Sequence, residues 1–386
     1  MRLRVGPSLV LGACLCVSIV AHAADEPRDQ GQGDQGQRGQ AELRGKPVPV
    51  RVPAPARSES LTPQQARDLV AGHDGDHLGI PGLTKLDAAT AAVLVEFKGK
   101  GLRFAGLSAL DVATAKALAG FKGEGLSISG LPTLDAATAE ALAGFKGRKL
   151  FLWKAPPLDA ATAAALAKFA GGELLLGNLA TLAPATAEGL AKFEGDVLRF
   201  HGLPTIDAAA AEALAEMDGF LWFDGLKTMP DAATVEALAA FKGRGVIIPE
   251  WMINRVGSDP LPLTPATARL MCLHARAVQA GLVRSPLGMG PNTVNAAALR
   301  GVVAMDRPDA VEVATILAAC EGWLALPNLK KISPKTLSAL IEKPDVVIPL
   351  IEKLELIPEP DGSPNDDFAV PADLEQRQRL QAPRFR

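Results

Sequence analysis

Two histidines and two aspartates lie within five residues in the run His73-Asp74-Gly75-Asp76-His77. Imidazole nitrogens and carboxylate oxygens bind Zn²⁺ and other divalent metals, so such a run invites a metal site. When the segment is aligned with later ones, however, "AGHDGDHLGI" lies over "AGFKGEGLSI". His73 then takes the place of a recurring phenylalanine, and His77 takes a variable place before an apolar run. We therefore expect the boundary of a repeat here, with no bound metal.

Other motifs for catalysis are weak or missing from the sequence. Residues 288–293 read "GMGPNT", which has two glycines but lacks the Lys-Ser/Thr pair of a phosphate-binding loop. The sequence has no His-Glu-x-x-His and no Gly-x-Ser-x-Gly motif. Most carboxylates recur at equivalent positions, whereas acid–base catalysis needs two carboxylates in unlike environments. The sequence predicts a protein that is not an enzyme and uses no cofactor.

The first residues resemble an export signal. A start with two arginines is followed by an apolar run, and residues 21–23 read Ala-His-Ala, which fits the small-x-small cleavage rule. We predict a signal peptide over residues 1–23 and a mature chain in the periplasm, the cell envelope or the extracellular space. Two alternatives stay open: Cys14, within "LGAC", could carry a lipid, or the segment could be retained as an anchor.

Cleavage of the signal would leave two cysteines, Cys272 and Cys320. In an oxidising compartment they could form one disulfide. Both lie in apolar helical patterns, which favours two separate, buried, small hydrophobic side chains.

Composition favours a large helical core and argues against a nucleic-acid partner. Of 386 residues 48% are hydrophobic, yet only 4% are aromatic and tyrosine is absent. The net charge of −3 lacks the excess of Lys and Arg that replaces counterions on nucleic acids. Residues 24–58 are rich in Gln, Gly and Pro and poor in large apolar side chains, so they predict a disordered linker that acts as a spacer.

An internal repeat organises the centre of the chain. Leucine recurs every 24 residues, and then Leu221 follows after 23 residues and Val246 after 25. The leucines spaced by 24 are Leu78, Leu102, Leu126, Leu150, Leu174 and Leu198. A fixed period of this length is typical of a solenoid, in which each unit buries its apolar face against its neighbours. Seven regular units cover residues 78–245.

Each unit divides into a strand half and a helix half. Alternation of apolar and variable residues predicts a strand with one buried face. The helix half begins with an aspartate, a preferred N-cap, in six units. A leucine and, three residues later, a phenylalanine or methionine lie on one helix face. A glycine two residues further is expected to end the helix as a left-handed C-cap. The capping residues are Asp87, Asp111, Asp135, Asp159, Asp207 and Asp231, and the plug residues are Phe97, Phe121, Phe145, Phe169, Phe193, Met217 and Phe241.

The pattern "LxLxGLxxLDAATAxALAxFKG" over residues 78–245 resembles the leucine-rich repeat superfamily. More narrowly, it resembles the Ala-rich, 24-residue leucine-rich-repeat-like proteins predicted for planctomycete bacteria. The resemblance implies an α/β solenoid with a parallel sheet on one face and short helices on the other. It also implies binding more often than catalysis. Gly-Leu stands where the family usually has Asn or Cys, so no amide ladder is expected.

The repeat extends beyond the regular units in weaker form. With a partial unit at 61–77, an eighth strand in "VIIPEW" and a longer helix at 263–281, the predicted solenoid covers residues 61–281. Residues 282–358 predict degenerate repeats that cap the stack, with strands in "LALPNL" and "VVIPLI" and a helix starting at Ser333-Pro334. Residues 359–386 predict a flexible tail.

The exposed strand positions carry the candidate binding site. Early units place small and polar residues there, whereas the middle units place aromatic residues among charged ones. Exposed apolar surface with polar neighbours is typical of binding sites, and Trp and Arg are enriched at hot spots. A flanking segment or a tight inner curve could instead cover the aromatic residues. The candidate ligand-binding residues are Phe151, Trp153, Leu175, Arg199, His201, Trp222 and Asp224. Trp251 and Trp323 lie outside this face and are predicted to be core or cap residues.

Together these patterns predict an exported, non-catalytic scaffold that binds a protein, a peptide or a glycan through its strand face. No nucleic-acid partner is expected, and contact with a membrane is expected only through a lipidated Cys14 or a retained signal. The second interpretation is a purely structural component of the cell envelope without a specific ligand patch.

Overall fold

The computed structural model describes residues 59–259, 261–282, 296–321 and 323–364. The predicted signal peptide (1–23) with Cys14, the predicted linker (24–58) and the "GMGPNT" loop (288–293) lie outside the described residues.

Eight parallel strands in chain order form one sheet, and this confirms the predicted solenoid. The pairing follows the repeat, since Leu102 pairs with Leu78 on one side and with Leu126 on the other. The strands are β1 (His77–Ile80), β2 (Gly101–Phe104), β3 (Gly125–Ile128), β4 (Lys149–Leu152), β5 (Glu173–Gly177), β6 (Val197–His201), β7 (Phe220–Phe223) and β8 (Gly245–Ile247). Counted from its own first residue, each strand turns its second and fourth side chains into the interior of the coil and its first and third side chains outward.

A short helix follows each strand of the array up to β7, and another precedes the sheet. They are α1 (Pro63–Ala71), α2 (Ala88–Leu94), α3 (Val112–Ala119), α4 (Ala136–Ala143), α5 (Ala160–Ala167), α6 (Pro184–Leu190), α7 (Ala208–Leu214) and α8 (Ala232–Ala239). The six aspartates are N-caps as predicted, and Asp135, for example, accepts a hydrogen bond from the Thr138 N–H at 2.7 Å. That backbone hydrogen bond keeps the pKa of Asp135 below its usual value. Of the seven helices α2 to α8, only α6 lacks a side-chain cap, because Ala183 precedes it and Pro184 is its first residue.

The interior is one continuous core. Leu118, Leu142 and Leu166, on successive coils, are fully buried and belong to the same hydrophobic cluster. Beside them the plug phenylalanines stack from coil to coil, and the ring centroids of Phe121 and Phe145 lie 6.2 Å apart with planes inclined by 8°. No single coil could bury these side chains alone, which is the physical reason for the repetition.

The glycine after each plug serves close packing, so its predicted role as a left-handed C-cap is wrong. A Cβ on Gly147 would lie 2.2 Å from Cζ of Phe145 and 2.5 Å from the carbonyl oxygen of Gly123 in the previous coil. Its φ lies outside the left-handed region, where Gly82, Gly130 and other glycines are found. The helices end one turn earlier in ordinary right-handed geometry, as at Gly144.

A ladder of buried threonines joins neighbouring coils. Each lies three residues after the N-cap, and the hydroxyls of Thr90, Thr114, Thr162 and Thr186 donate to a carbonyl of the previous coil. Thr186 donates to the carbonyl of Leu158 at 3.0 Å, and Thr90 donates to that of Leu61 at 3.1 Å. These bonds satisfy loop carbonyls that the helices and strands leave without partners.

A longer helix covers the last strand of the array. After β8, the short α9 (Glu250–Ile253) leads to α10 (Pro265–Gln279). The N–H of Ile248, at the edge of the sheet, donates to Nδ1 of the buried His274 on α10 at 3.5 Å. Burial lowers the pKa of His274 to about 4, against the opposing effect of a hydrogen bond with Val246. The neutral imidazole therefore belongs to the cap of the array.

Beyond α10 the coils are shorter and carry two small sheets. One contains β9 (Ala296–Ala298), β11 (Trp323–Ala325) and β13 (Val346–Val347), and the other contains β10 (Ala304–Met305), β12 (Lys331–Ile332) and β14 (Glu355–Leu356). Helices α11 (Ala310–Ala318) and α12 (Pro334–Ile341) and a 3₁₀ turn (Ile351–Lys353) complete this part. Ser333 caps α12 and Pro334 follows it, as the sequence predicts.

Two expectations for this C-terminal part need correction. Cys272 on α10 and Cys320 after α11 form a disulfide, with their Cα atoms 5.0 Å apart, because the two helices pack side by side. They are therefore not two separate hydrophobic side chains. The predicted tail also starts too early, since Glu359 is buried and accepts a hydrogen bond from the Lys335 N–H at 2.8 Å. The part of that tail at 365–386 lies outside the described residues.

Candidate binding face

Outward side chains from four neighbouring strands form the candidate site. Strand pairing places Phe151, Leu175, Arg199 and Trp222 in one row across β4 to β7. A second row lies two residues further along each strand and contains Trp153, Gly177, His201 and Asp224. The structure thus brings all seven predicted residues onto one face, because the 24-residue period repeats the register from coil to coil.

Charged side chains in this face are paired with one another. Arg199 donates from Nε and Nη2 to Oδ2 of Asp224 at 2.9 and 2.5 Å. Nδ1 of His201 lies 3.1 Å from the same oxygen. On the other side Glu173 lies 3.9 Å from Nη1 of Arg199 and 3.6 Å from Nζ of Lys149. Two acidic and two basic side chains therefore offset each other's charge, and the face is close to electrically neutral.

Aromatic rings enclose this network. The guanidinium of Arg199 lies 4.0 Å from the centroid of the Trp222 ring, in cation–π geometry. Trp153 makes edge contacts with Phe151 and His201, at centroid distances of 5.8 and 5.2 Å. Because His201 is itself held by Asp224, every ring is fixed by a neighbour. Trp153 is still 38% exposed and is the main apolar group that this face offers to solvent.

Leu175 is buried, contrary to the prediction that it is an exposed ligand-binding residue. It is 1% exposed, although it points outward and lies outside the interior core cluster. The strand register places Phe151 on one side of it and Arg199 on the other, and these two larger side chains cover it. Leu175 therefore supports the face from below and is not available to a partner.

Sequence reasoning missed the residues that shape the face without projecting from it. Gly177 lies between Trp153 and His201, and a Cβ there would lie 2.2 Å from the carbonyl oxygen of Trp153. The absence of a side chain lets the two rings meet above this position. Glu173 was missed because it lies on β5 two residues before Leu175, one row outside the two rows of the predicted site. A signal was available for Gly177, since it is glycine between a tryptophan and a histidine at equivalent repeat positions.

The outer face is closed at its C-terminal end. Val197, Phe220 and Ile247 form a second buried cluster together with Ala277 of α10. Trp222 packs against this cluster, so one of its sides is occupied by protein and its other side by Arg199. The accessible part of the site is consequently centred on Trp153 and His201.

Two other groups that the sequence singled out lie elsewhere. His73 packs edge-on against Phe97 at 5.5 Å and its Nε2 lies 2.9 Å from the His77 carbonyl, so it occupies a plug position. The residues that the structure describes contain no group of three or more metal-ligating side chains close enough to share an ion. Trp251 was predicted to be a core or a cap residue; it is 37% exposed and donates to the carbonyl of Leu226 at 3.1 Å, so it is not a core residue. The backbone of Trp323 lies in β11.

The fold and the face define a leucine-rich-repeat-like α/β solenoid with a preorganised aromatic and ionic patch on its sheet. No family model matches the sequence, and no curated protein matches it. Among solved structures the chain is similar to one in the "Crystal structure of Rad7 and Elc1 complex in yeast", with 12% sequence identity and a TM-score of 0.33. That similarity covers 77% of this chain and 88% of the other. None of the helices in the described parts of the chain is both long and apolar enough to cross a bilayer.

Proposed function

We propose that this protein is a non-catalytic binding scaffold whose outer strand face, centred on Trp153, recognises a protein, peptide or glycan. The observation that carries the proposal is the exposure of Trp153 within a set of side chains that are otherwise paired. A large indole that is 38% exposed offers apolar area to a partner. The contacts that hold it in place reduce the conformational entropy lost on binding.

Placement outside the cytoplasm is part of the proposal. It is supported by the signal-like residues 1–23 and by the disulfide between Cys272 and Cys320. Disulfides persist in oxidising compartments and are rare in reducing ones. Assignment to the Ala-rich, 24-residue type predicted for planctomycetes rests on the repeat pattern and stays a prediction.

A matched pair of substitutions tests the proposed face. Trp251 has nearly the same exposure as Trp153, 37% against 38%, but it lies on α9, outside the face. We expect Trp153→Ala to reduce capture of a partner from an envelope extract by about tenfold or more, as for a hot-spot residue. Trp251→Ala should capture as the wild type does. Both variants need circular dichroism to show that the array is folded.

The alternative is a purely structural component of the cell envelope. It is favoured by the extent to which the charges on this face are already paired with one another. Under that reading Trp153→Ala and Trp251→Ala would recover the same set of proteins in quantitative mass spectrometry. This result would contradict the proposed binding face and leave the architectural role.

A further inference from the structure

We propose that the turns between helix and strand form a self-complementary charged edge, through which two copies of this chain associate about a two-fold axis. The edge consists of the residue that directly follows the plug in each regular unit, and we call these residues the turn row. They lie in the turns before the strands, outside the face around Trp153, so the association and the proposed binding function are independent. All seven members are exposed. In chain order they are Lys98, Lys122, Lys146, Ala170, Glu194, Asp218 and Lys242.

The turn row is continuous along the array because the glycine after each member is stacked on its counterpart in the previous coil. A Cβ on Gly171 would lie 2.5 Å from the carbonyl oxygen of Gly147, and one on Gly219 would lie 2.7 Å from that of Gly195. The plug phenylalanines that precede the row repeat at 6.1 to 6.5 Å between ring centroids. Neighbouring members of the row are therefore separated by one coil and share one environment.

Charges of opposite sign are segregated along the turn row. The first three units contribute lysines, the fourth contributes alanine, and the fifth and sixth contribute acidic residues. Within the described residues none of these five charged side chains forms an ion pair, although other exposed charges do, such as Lys168 with Glu140 at 2.7 Å. Glu124, two residues after Lys122, offsets part of the basic charge. Like charges on neighbouring coils repel, so an opposing row of the opposite sign would stabilise this edge.

A two-fold axis at Ala170 brings unlike charges of the two copies together. Ala170 belongs to the fourth of seven units, so the axis exchanges the third unit with the fifth and the second with the sixth. Lys146 then faces the partner's Glu194, and Lys122 faces the partner's Asp218. Because a two-fold contact repeats every pair, four ion pairs result.

The residues at the axis and at the ends of the row are compatible with this arrangement. Residues 170–172 read Ala-Gly-Gly, so the two edges can approach closely at the centre. The outermost positions bring Lys98 opposite the partner's Lys242, which is a pair of like charges. Lys242 is already neutralised within its own copy, since its Nζ lies 2.6 Å from Glu216.

The association should be weak and sensitive to salt. At the repeat of 6.1 to 6.5 Å, only about 25 Å separate Lys122 from Asp218, and the row is one side chain wide. A stable dimer buries about 800 Å² on each partner, which is more than such an edge provides. Exposed ion pairs are also screened by salt. We therefore expect a monomer–dimer equilibrium that favours the dimer only at about 100 μM protein or above and at low ionic strength.

Sedimentation velocity of the purified full chain tests the contact. At low salt the weight-average sedimentation coefficient should rise between about 5 and 200 μM protein, and this rise should disappear in about 0.5 M NaCl. Two charge-reversal variants, K122E/K146E and E194K/D218K, should each remain monomeric because like charges then face each other. Mixed in equal amounts they should associate at least as strongly as the wild type, since each supplies the charge that the other lacks.

Two further variants show whether position or net charge matters. K116E/K330E changes two exposed lysines outside the row and alters the net charge as much as K122E/K146E, so it should associate as the wild type does. The fourfold variant K122E/K146E/E194K/D218K inverts both halves of the row and should also associate. Circular dichroism of every variant checks that the array is folded.

Four results would overturn the inference. A wild type that stays monomeric at the higher concentration and low salt would show that the row is no contact between copies. Association that persists in both reversal variants would assign the contact to another surface. Loss of association in K116E/K330E would assign the effect to net charge. Failure of both the mixture and the fourfold variant to associate would show that the two halves of the row do not face each other.

Discussion

Two glycines three residues apart in the same coil should respond in opposite directions to the same substitution. Gly147 follows the plug Phe145, and a Cβ there would meet the Phe145 ring at 2.2 Å and the Gly123 carbonyl at 2.5 Å. Gly144 ends α4 with φ −66°, and a Cβ there would meet no atom closer than 3.1 Å. Internal comparison agrees, since the place of Gly144 is taken by other residues in other coils, whereas that of Gly147 is glycine in all seven.

The expected magnitudes follow from these contacts. In Gly147→Ala either the phenylalanine ring, buried in its stack, or the neighbouring coil must move, and such overpacking costs about 1–3 kcal/mol. Gly144→Ala keeps an ordinary helical backbone and should stabilise by about 0.4–1 kcal/mol through the unfolded state. The two variants should therefore differ by about 1.5–4 kcal/mol in the free energy of unfolding.

Denaturant titration followed by circular dichroism, with both variants and the wild type side by side, measures this difference. Hydrogen exchange of residues 121–147 would show whether the loss is local to the two coils, as expected for a repeat array. Equal stability of Gly147→Ala and Gly144→Ala would refute the argument that close approach, and not backbone conformation, requires glycine after the plug.

Three further predictions concern the interior and the C-terminal part. Because the pKa of His274 falls from 6.5 to about 4 on folding, the unfolded state binds more protons than the folded state between these pH values. The free energy of unfolding should therefore be highest above pH 6.5 and fall by up to about 1.4 kcal/mol per pH unit toward pH 4. His274→Gln should make the denaturation midpoint less dependent on pH in this range. Thr186→Val leaves the Leu158 carbonyl unpaired and should cost about 1–2 kcal/mol in thermal unfolding, whereas Thr186→Ser should keep the bond. Reduction of the Cys272–Cys320 disulfide, whose cysteines are 48 residues apart, should lower the free energy of unfolding by up to about 4 kcal/mol. The temperature of the first calorimetric transition should fall accordingly. An unchanged temperature would show that α10 and α11 stay packed without the disulfide.

Local signals in the sequence were sufficient for the array. Asp135 caps α4 because a carboxylate three residues before Thr138 satisfies an N–H group wherever a helix starts. The 24-residue spacing of leucines fixes the strand register, so Leu102 had to meet Leu78 and Leu126. Because neighbours in the array are copies of one another, a one-dimensional pattern contains the three-dimensional contacts.

Prediction failed where contacts depend on elements that break the repeat or on side-chain size. Alternation correctly pointed Leu175 outward, but it could not show that Phe151 and Arg199 would cover it. The pairing of Cys272 with Cys320 depends on how α10 packs against α11, outside the regular period. The glycine after Phe145 was assigned to the wrong cause, because the pattern of a C-cap and the pattern of a close contact look the same in sequence.

The helix α10 limits how this protein could change in length during evolution. It lies along β8, with His274 bonded to the Ile248 N–H, where a ninth regular strand would have to pair. A duplicated unit therefore cannot be appended there without displacing that helix. Between β1 and β4 successive seams are nearly interchangeable, so a unit duplicated in that region would fit into the stack and leave the contacts around Trp153 intact.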